Sequence, residues 1–316
     1  MLIHDVKLSI GAITGILMAY FLGLSSPLTA GVIVLLSLGK TKKSSIDIAW
    51  VRIKAVILAL VLASVIFLLL GFTVYTFGFF LVLYIPLVSQ FKLEAGLIIG
   101  SVLSTHLITA EAVDFNSLLN TSALFVIGVL IAILFNLYMP NSAREIVKDQ
   151  RYIEDRFREI LLMIATVMRG DKNFNHEVLQ EVEAFIHRAL LRAQMNEDNH
   201  LLVDVSYYTS YIRMRKLQFD ILNRMFELAY KVEMDLVQTH LIADLTEEFA
   251  YLLSESNSGE GLLQRLDAIS AQCKGGLLPE SRSEFENRAI LFQYLSEFRH
   301  VVQLKREFSH EYAEKN

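Results

Sequence analysis

The chain has 316 residues, of which 53% are hydrophobic and 20% are charged, and its mean hydropathy is +0.43. This hydropathy excludes an ordinary water-soluble protein of this length unless the charge is segregated. Residues 1–140 hold only seven Lys or Arg and five Asp or Glu, which leaves 22 basic and 29 acidic side chains for the other 176 residues. The composition therefore predicts a transmembrane domain, 1–140, followed by a cytoplasmic domain, 141–316.

Six apolar segments follow one another in the first domain. A helix needs about 20 apolar residues to cross about 30 Å of hydrocarbon. The second segment holds only 13 residues and begins with Ser26-Pro27, a capping residue and a proline that suits the first helical turn. The first segment has no cleavage pattern after it and is predicted to be a retained span. The six candidate spans are 7–24, 27–39, 53–71, 72–89, 95–113 and 117–139.

Basic residues are confined to alternate loops between these segments. If the N-terminus is cytoplasmic, all the loops that carry Lys or Arg are cytoplasmic as well. The opposite loops, near 25–26, 71–72 and 111–114, carry none. The positive-inside rule therefore predicts that both termini are cytoplasmic.

Two short segments resemble each other at an offset of 65 residues. LTAGVIV (28–34) and LEAGLII (93–99) share Leu, Ala, Gly and Ile, and the same offset relates the starts of other spans. Two three-span units with opposite entry into the membrane are typical of secondary transporters, with the site where the repeats meet. The alternative is a chance similarity between two apolar segments.

The repeat would place small residues at two helix N-termini that enter from opposite sides of the membrane. Free N–H groups and the helix dipole attract anions there, so the sequence predicts an anion approach at these positions. The alternative is that small residues only let helices pack closely in lipid. The four residues are Ala30, Gly31, Ala95 and Gly96.

The second domain has the periodicity of amphipathic helices and no strand pattern. Helices are predicted near 143–169, 176–195, 261–273 and 283–312, and one very long helix that drifts or bends near 201–252. The chain is therefore predicted to be all-α, six spans followed by a long-helix bundle. The basic cluster RMRK (213–216) is interpreted as a solvated helix face.

The motifs that would indicate an enzyme or a cofactor do not occur in the sequence. The second domain has no metal-ligand spacing of His or Cys, no phosphate loop and no nucleophile elbow. A single cysteine, Cys273, excludes a disulfide framework. The domain's net charge of −7 argues against nucleic acid as a partner. We expect no enzyme activity, no cofactor and no metal.

The chain resembles the aromatic acid exporter family, relatives of the fusaric acid resistance proteins. The resemblance rests on the six-span layout, on SSPLTAG (25–31) and LFNLYMPN (134–141), and on a following helical region like the C-terminal domain of the family's bacterial branch. It implies a bacterial inner-membrane exporter of small aromatic carboxylic acids, driven by the proton gradient. Because some relatives have twice this membrane length, it also implies a homodimer or higher homo-oligomer.

The resemblance supplies no functional residue, so the candidate residues are selected by their predicted depth in the membrane. His106 lies just past the predicted midplane, where an ionisable group usually faces the protein interior. We expect it to bind a proton, or the substrate carboxylate while protonated; the alternative is a neutral histidine bonded to a neighbouring helix. Glu111 is a candidate proton acceptor on the outer side.

Three further candidates lie at the predicted cytoplasmic interface. The default interpretation of Arg52 and Lys54 is that their long side chains extend along apolar surface to the aqueous interface. The alternative is that they attract an organic anion toward the transport path. Glu94 is the third candidate at this interface. The predicted partners are therefore an aromatic anion, protons and the lipid bilayer. A membrane-anchored scaffold or sensor that acts through the helical domain on an unknown partner is the rival interpretation, and a passive anion channel is a third.

Overall fold

The structure is a computed structural model that describes residues 2–39, 41–137, 142–172, 177–200, 203–253 and 259–313. In these ranges the regular structure is entirely helical, with twelve α-helices and one 3-10 turn, which confirms the predicted all-α fold. The chain divides into two compact units. Unit 1 is Met1–Pro140 with Asp198–Leu202, and unit 2 is Asn141–Glu197 with Val203–Asn316.

Unit 1 contains six helices at the positions of the six predicted segments. Two of them, α3 and α6, are long and apolar enough to cross a membrane, while α2, α4 and the segment Glu94–Thr109 are apolar but shorter. These helices are consistent with a membrane protein, and six crossings stay a prediction. The helices are α1 (Leu2–Phe21), α2 (Leu28–Ser37), α3 (Lys42–Leu70), α4 (Val74–Gln90), α5 (Leu97–Thr109) and α6 (Phe115–Leu137), with a 3-10 turn at Glu94–Gly96.

Helix α3 begins eleven residues before the predicted span, at Lys42 instead of 53. Thr41 caps it, since the Thr41 hydroxyl accepts a hydrogen bond from the backbone N–H of Ser44, and the Ser44 hydroxyl accepts one from the backbone N–H of Thr41. The sequence prediction began the span where charge ended. A helix begins where its first N–H groups find acceptors, so the first three turns of α3 carry charged residues.

Small residues let the helices of unit 1 approach closely. A Cβ at Gly31 in α2 would lie 2.5 Å from a side chain of α1, and one at Gly128 in α6 would lie 2.5 Å from Ile33 of α2. A Cβ at Gly96 would overlap the Cβ of Ala55 in α3. Without side chains at these positions, the backbones of neighbouring helices approach each other closely.

Part of the packing of unit 1 follows the exchange that an inverted repeat requires. Helix α2 packs against α6 in the way that α5 packs against α3, and α1 packs against α6 as α4 packs against α3. In each pair the partners correspond when the first three helices are exchanged with the last three. The contact between α1 and α2 breaks this correspondence, because α1 packs extensively on α2 whereas α4 makes few contacts with α5. The 65-residue repeat stays a prediction.

Unit 2 is a helical bundle around one large apolar core. Its helices are α7 (Ala143–Met168), α8 (Glu177–Asn199), α9 (Ser206–Tyr230), α10 (Val237–Leu252), α11 (Glu260–Lys274) and α12 (Arg282–Ala313). Helix α9 packs between α7 and α12, while α10 packs on α7 and α11 on α12. The four helices predicted near 143–169, 176–195, 261–273 and 283–312 correspond to α7, α8, α11 and α12.

The single long helix predicted near 201–252 was wrong, because the chain breaks between α9 and α10 at 231–236. The buried side chain of Asn287 accepts hydrogen bonds from the backbone N–H groups of Glu233 and Met234 at 2.8 and 3.2 Å. These groups would otherwise bond within a helix. An acceptor from α12 therefore replaces the helical bonds.

The solvated face predicted for RMRK (213–216) was wrong at Arg215, which is only 1% exposed. Its guanidinium donates to Glu154 at 2.9 Å, to Gln218 at 2.9 Å and to the Tyr211 hydroxyl at 2.7 Å. Burial raises the pKa of Tyr211, so its hydroxyl stays protonated and donates to Glu154. A buried charge needs such complete pairing, and the cluster joins α7 to α9.

Candidate functional site

A polar cleft lies at one end of unit 1, where the turn before α2, the end of α5 and the start of α6 meet. Its empty volume is about 730 Å³, and it is open to solvent. Hydroxyl, amide and imidazole groups dominate its wall, in contrast to the apolar faces elsewhere on these helices. The cleft is lined by Ser25, Ser26, His106, Thr109, Ala110, Asn116, Ser117, Asn120 and Thr121.

His106 lies in the last turn of α5 and is half-buried beside this cleft. Its Nε2 is 3.0 Å from Oγ1 of Thr29 in the first turn of α2, a hydrogen bond in which either atom can donate according to the ring tautomer. The ring is thus held between two helices while it lines an aqueous cleft. A histidine in this position can exchange a proton with water without leaving its partner.

Asn120 links the start of α6 to the turn before α2. Its Oδ1 accepts from the backbone N–H of Ser25 at 2.8 Å, and its Nδ2 donates to the Ser25 carbonyl at 3.3 Å. The sequence prediction missed both Asn120 and Thr29. The available signals were the polar residues in SSPLTAG and the amides Asn116 and Asn120, which share one face of α6 because they are four residues apart.

The two acidic residues after α5 differ in their surroundings. Glu111 is exposed, with a φ of 48°, and lies just beyond the end of α5. Asp114 caps α6, where its carboxylate accepts from the backbone N–H of Ser117 at 2.8 Å. Hydrogen bonds from the Ser117 side chain and backbone lower the pKa of Asp114. Asp114 thus has a structural role, while Glu111 faces solvent near the cleft.

Arg52 lies at the other end of α5, so the predicted path residues form two groups. Its Nη2 donates to the Leu36 carbonyl at 2.6 Å and its Nε to the Ala95 carbonyl at 3.0 Å. The guanidinium therefore ties the last turn of α2 to the 3-10 turn before α5. Lys54 and Glu94 are exposed at this end.

These contacts show that α2 and α5 are antiparallel. His106 in the last turn of α5 contacts Thr29 in the first turn of α2, whereas Arg52 joins the last turn of α2 to the start of α5. The two short helices therefore begin at opposite ends of the unit. Ala30 and Gly31 lie at the His106 end, and Ala95 and Gly96 lie at the Arg52 end.

Some of the N–H groups that were predicted to attract an anion already donate hydrogen bonds within the protein. The N–H of Ala30 donates to the Pro27 carbonyl at 3.1 Å, and that of Gly96 to the Leu93 carbonyl at 2.9 Å. Gly31 and Gly96 pack against α1 and α3. The anion approach stays a prediction, and the contacts favour close helix packing at both glycines.

Comparison with known proteins gives matches along the whole chain. A family model described as "Aromatic acid exporter family member 1" matches residues 3–139, and one described as "Putative aromatic acid exporter C-terminal domain" matches residues 143–306. The uncharacterized protein YqjA of Bacillus subtilis (strain 168) is 27% identical over 314 residues, covering 99% of this chain and 98% of that protein.

One solved structure is similar to part of the chain. It is described as the crystal structure of a "putative membrane protein from Clostridium difficile 630", with 25% sequence identity and a TM-score of 0.49. The match covers 53% of this chain and 98% of that chain.

Proposed function

Because the chain belongs to the aromatic acid exporter family, a transporter family, we propose that it exports small aromatic carboxylic acids from the bacterial cytoplasm in exchange for protons. The family supports a membrane exporter and a small organic anion as its substrate. Proton coupling, the path residues and a homo-oligomeric state belong to the proposal.

The observation that carries the proposal is the antiparallel pair α2 and α5. They have 10 and 13 residues, about 15 and 20 Å of helix, which is short of about 30 Å of hydrocarbon. Non-helical chain at membrane depth is tolerated only where protein covers it or a water-filled cavity adjoins it. The polar cleft beside His106 meets that condition. Transporters often place their substrate sites where a helix ends within the membrane.

In the proposed mechanism His106 takes up and releases the proton. Imidazole changes charge near neutral pH, and the cleft connects its ring to water on the side that the topology prediction assigns to the exterior. A protonated ring donates from both nitrogens, so Thr29 can keep one hydrogen bond while the cleft supplies the second acceptor. Glu111 lies further out and would pass protons between solvent and the cleft.

The other end of the pair would close the path toward the cytoplasm. Arg52 holds the end of α2 against the turn before α5 through two carbonyl groups. Alternating access requires the two ends to open in turn, so we assign Arg52 to this closure. Lys54 would attract the anion, and Glu94 lies beside this approach.

The experiment is uptake of labelled 4-hydroxybenzoate into proteoliposomes with an acidic lumen and an alkaline exterior. Passive diffusion of a weak acid depletes it from the acidic side, whereas exchange for outgoing protons accumulates it there. The direction of accumulation therefore separates coupled exchange from leakage. We expect accumulation above the external concentration that disappears when an ionophore collapses the gradient.

Protein-free liposomes are the control, and a panel of other aromatic acids is measured in the same way. Equilibration without accumulation would identify a passive anion channel in place of an exchanger. No uptake of any acid above the protein-free level would overturn the proposed function.

A further inference from the structure

Unit 2 contains a cavity that the transport proposal does not use. It lies between α10, α11 and α12 and has a volume of about 160 Å³. This is about the volume that holds one benzene ring, and sites for small organic molecules combine apolar walls with a few polar groups. The floor of this cavity is apolar and almost fully buried, since Ile242, Leu291 and Leu295 are at most 5% exposed.

The rim of the cavity carries two cations, an aromatic ring and an amide. Lys274 ends α11, and its Nζ lies 5.5 Å from the centre of the Phe292 ring. Arg288 projects from α12, and Gln238 lies in the first turn of α10. An apolar floor with cations and a ring at its edge suits a molecule with one aromatic face and one anionic group.

Arg288 is held in place at the wall of the cavity. Its Nη1 donates to the Leu277 carbonyl at 2.5 Å, and its Nη2 is paired with Glu284. Its Nε is buried. Arg288 therefore contributes a fixed positive charge beside the cavity, and a guanidinium stays protonated at any physiological pH.

We propose that this cavity binds a small aromatic carboxylate, with its ring on the apolar floor beside Phe292 and its carboxylate between Lys274 and Arg288. The choice of an aromatic acid over other amphipathic anions rests on the proposed function. Unit 2 would then sense the compound that unit 1 exports. An inorganic anion would gain nothing from the floor, and a neutral aromatic compound would gain nothing from the cations.

The test uses Cys273, which lines the cavity and is the chain's single cysteine. Burial raises the pKa of its thiol, and only the thiolate reacts, so labelling with uncharged monobromobimane is followed at mildly alkaline pH. The sample is the full-length chain in lipid nanodiscs, and the ligand is 4-hydroxybenzoate. A bound acid covers the thiol and disfavours the thiolate, so we expect saturable slowing of the reaction.

Two variants and two analogues make the result specific. Lys274→Met removes an exposed rim cation and should weaken 4-hydroxybenzoate protection roughly tenfold, the effect of losing one charge-assisted contact. Arg282→Met is the control, since it removes a positive charge at the start of α12 that does not line the cavity, from a side chain that is 91% exposed and paired with Glu286. Neither 4-hydroxybenzyl alcohol, which lacks the carboxylate, nor acetate, which lacks the ring, should protect.

The outcomes separate this inference from the transport proposal. Absence of slowing in the wild type, or equal slowing by acetate or by the alcohol, would overturn the aromatic carboxylate site even if the same preparation exports 4-hydroxybenzoate. Protection that is unchanged in Lys274→Met would overturn the assigned rim. Protection as predicted, without uptake in proteoliposomes, would leave the site standing and remove the proposed exporter activity.

Discussion

The contact between His106 and Thr29 joins residues 77 positions apart in the chain. It places an ionisable ring between two short helices and beside a polar cleft. In the proposed exchange this ring carries the proton. His106→Ala should therefore abolish gradient-driven accumulation of 4-hydroxybenzoate in the proteoliposome assay, because alanine cannot bind a proton.

His240→Ala is the matched control, since His240 is an exposed histidine of unit 2 that pairs with Asp235. It should leave accumulation unchanged. Thr29→Val removes the partner but keeps the ring, so it should shift the pH dependence of uptake and retain coupling. Undiminished coupled uptake by His106→Ala would remove the residue from the mechanism.

Glu284 in the first turn of α12 links stability to pH. A hydrogen bond from the backbone N–H of Glu280, together with the side chain of Arg288, lowers the pKa of Glu284 below its ordinary value of 4.5. The folded chain therefore binds this proton less tightly than the unfolded chain. The resulting stability is present above the unfolded pKa and is lost as pH falls through the folded pKa.

Glu284→Gln should accordingly lower the unfolding temperature of unit 2 at pH 7. The difference from the wild type should shrink below about pH 4, where the carboxyl of the wild type becomes protonated. Thermal unfolding of the full chain in nanodiscs, followed by circular dichroism across this pH range, measures it. A difference that stays constant with pH would contradict the assignment.

At the scale of elements, the contact between α5 and α3 depends on the absence of a side chain at Gly96. A Cβ there would overlap Ala55 Cβ and lie 3.1 Å from the Cα of Arg52, neither of which can move without the backbone. Gly96→Ala should destabilise the folded chain by about 1–3 kcal/mol, the usual range for overpacking. Thermal unfolding in nanodiscs measures the change.

Gly78 in α4 is the control for this substitution, because a Cβ there would meet nothing within 4 Å. Gly78→Ala should leave the unfolding temperature unchanged or raise it, since alanine favours the helix. Equal effects of the two substitutions would mean that close packing at Gly96 is unimportant.

The break between α9 and α10 depends on one amide from α12. Asn287→Ala would leave the N–H groups of Glu233 and Met234 without their acceptor. The expected cost is about 1–3 kcal/mol, from the loss of two hydrogen bonds worth about 0.5–1.5 kcal/mol each, and it should appear as a lower denaturant midpoint. Arg282→Ala on the exposed face of α12 should change the midpoint little, and equal shifts would contradict the role of Asn287.

The sequence was sufficient to predict most helices, because apolar periodicity reports directly on the buried face. It could not predict the break at 231–236, since the apolar stripe continues across it and the acceptor lies more than fifty residues away. Arg215 was misjudged for the same reason, because its partner Glu154 is on another helix. His106 could be selected from its predicted depth alone, whereas its partner Thr29 could be found only from the contact between the end of α5 and the start of α2.

At the scale of the whole molecule, the repeat and the charge pattern make one joint prediction about topology. An odd number of helices in each repeat makes the second copy enter the membrane from the opposite side. Arg52 and His106 lie at opposite ends of α2 and α5, as the proposed alternating access requires. The positive-inside rule assigns the Arg52 end to the cytoplasm.

Single engineered cysteines can test this topology, because replacement of Cys273 by Ser leaves a cysteine-free chain. In that background Tyr75→Cys, at a position 90% exposed near the start of α4, should react with a membrane-impermeant maleimide in intact cells. Lys43→Cys, exposed at the start of α3, should react only after permeabilisation. The reverse pattern would mean that the chain has the opposite orientation in the membrane. His106 would then lie on the cytoplasmic side, which would exclude proton uptake from outside at that residue.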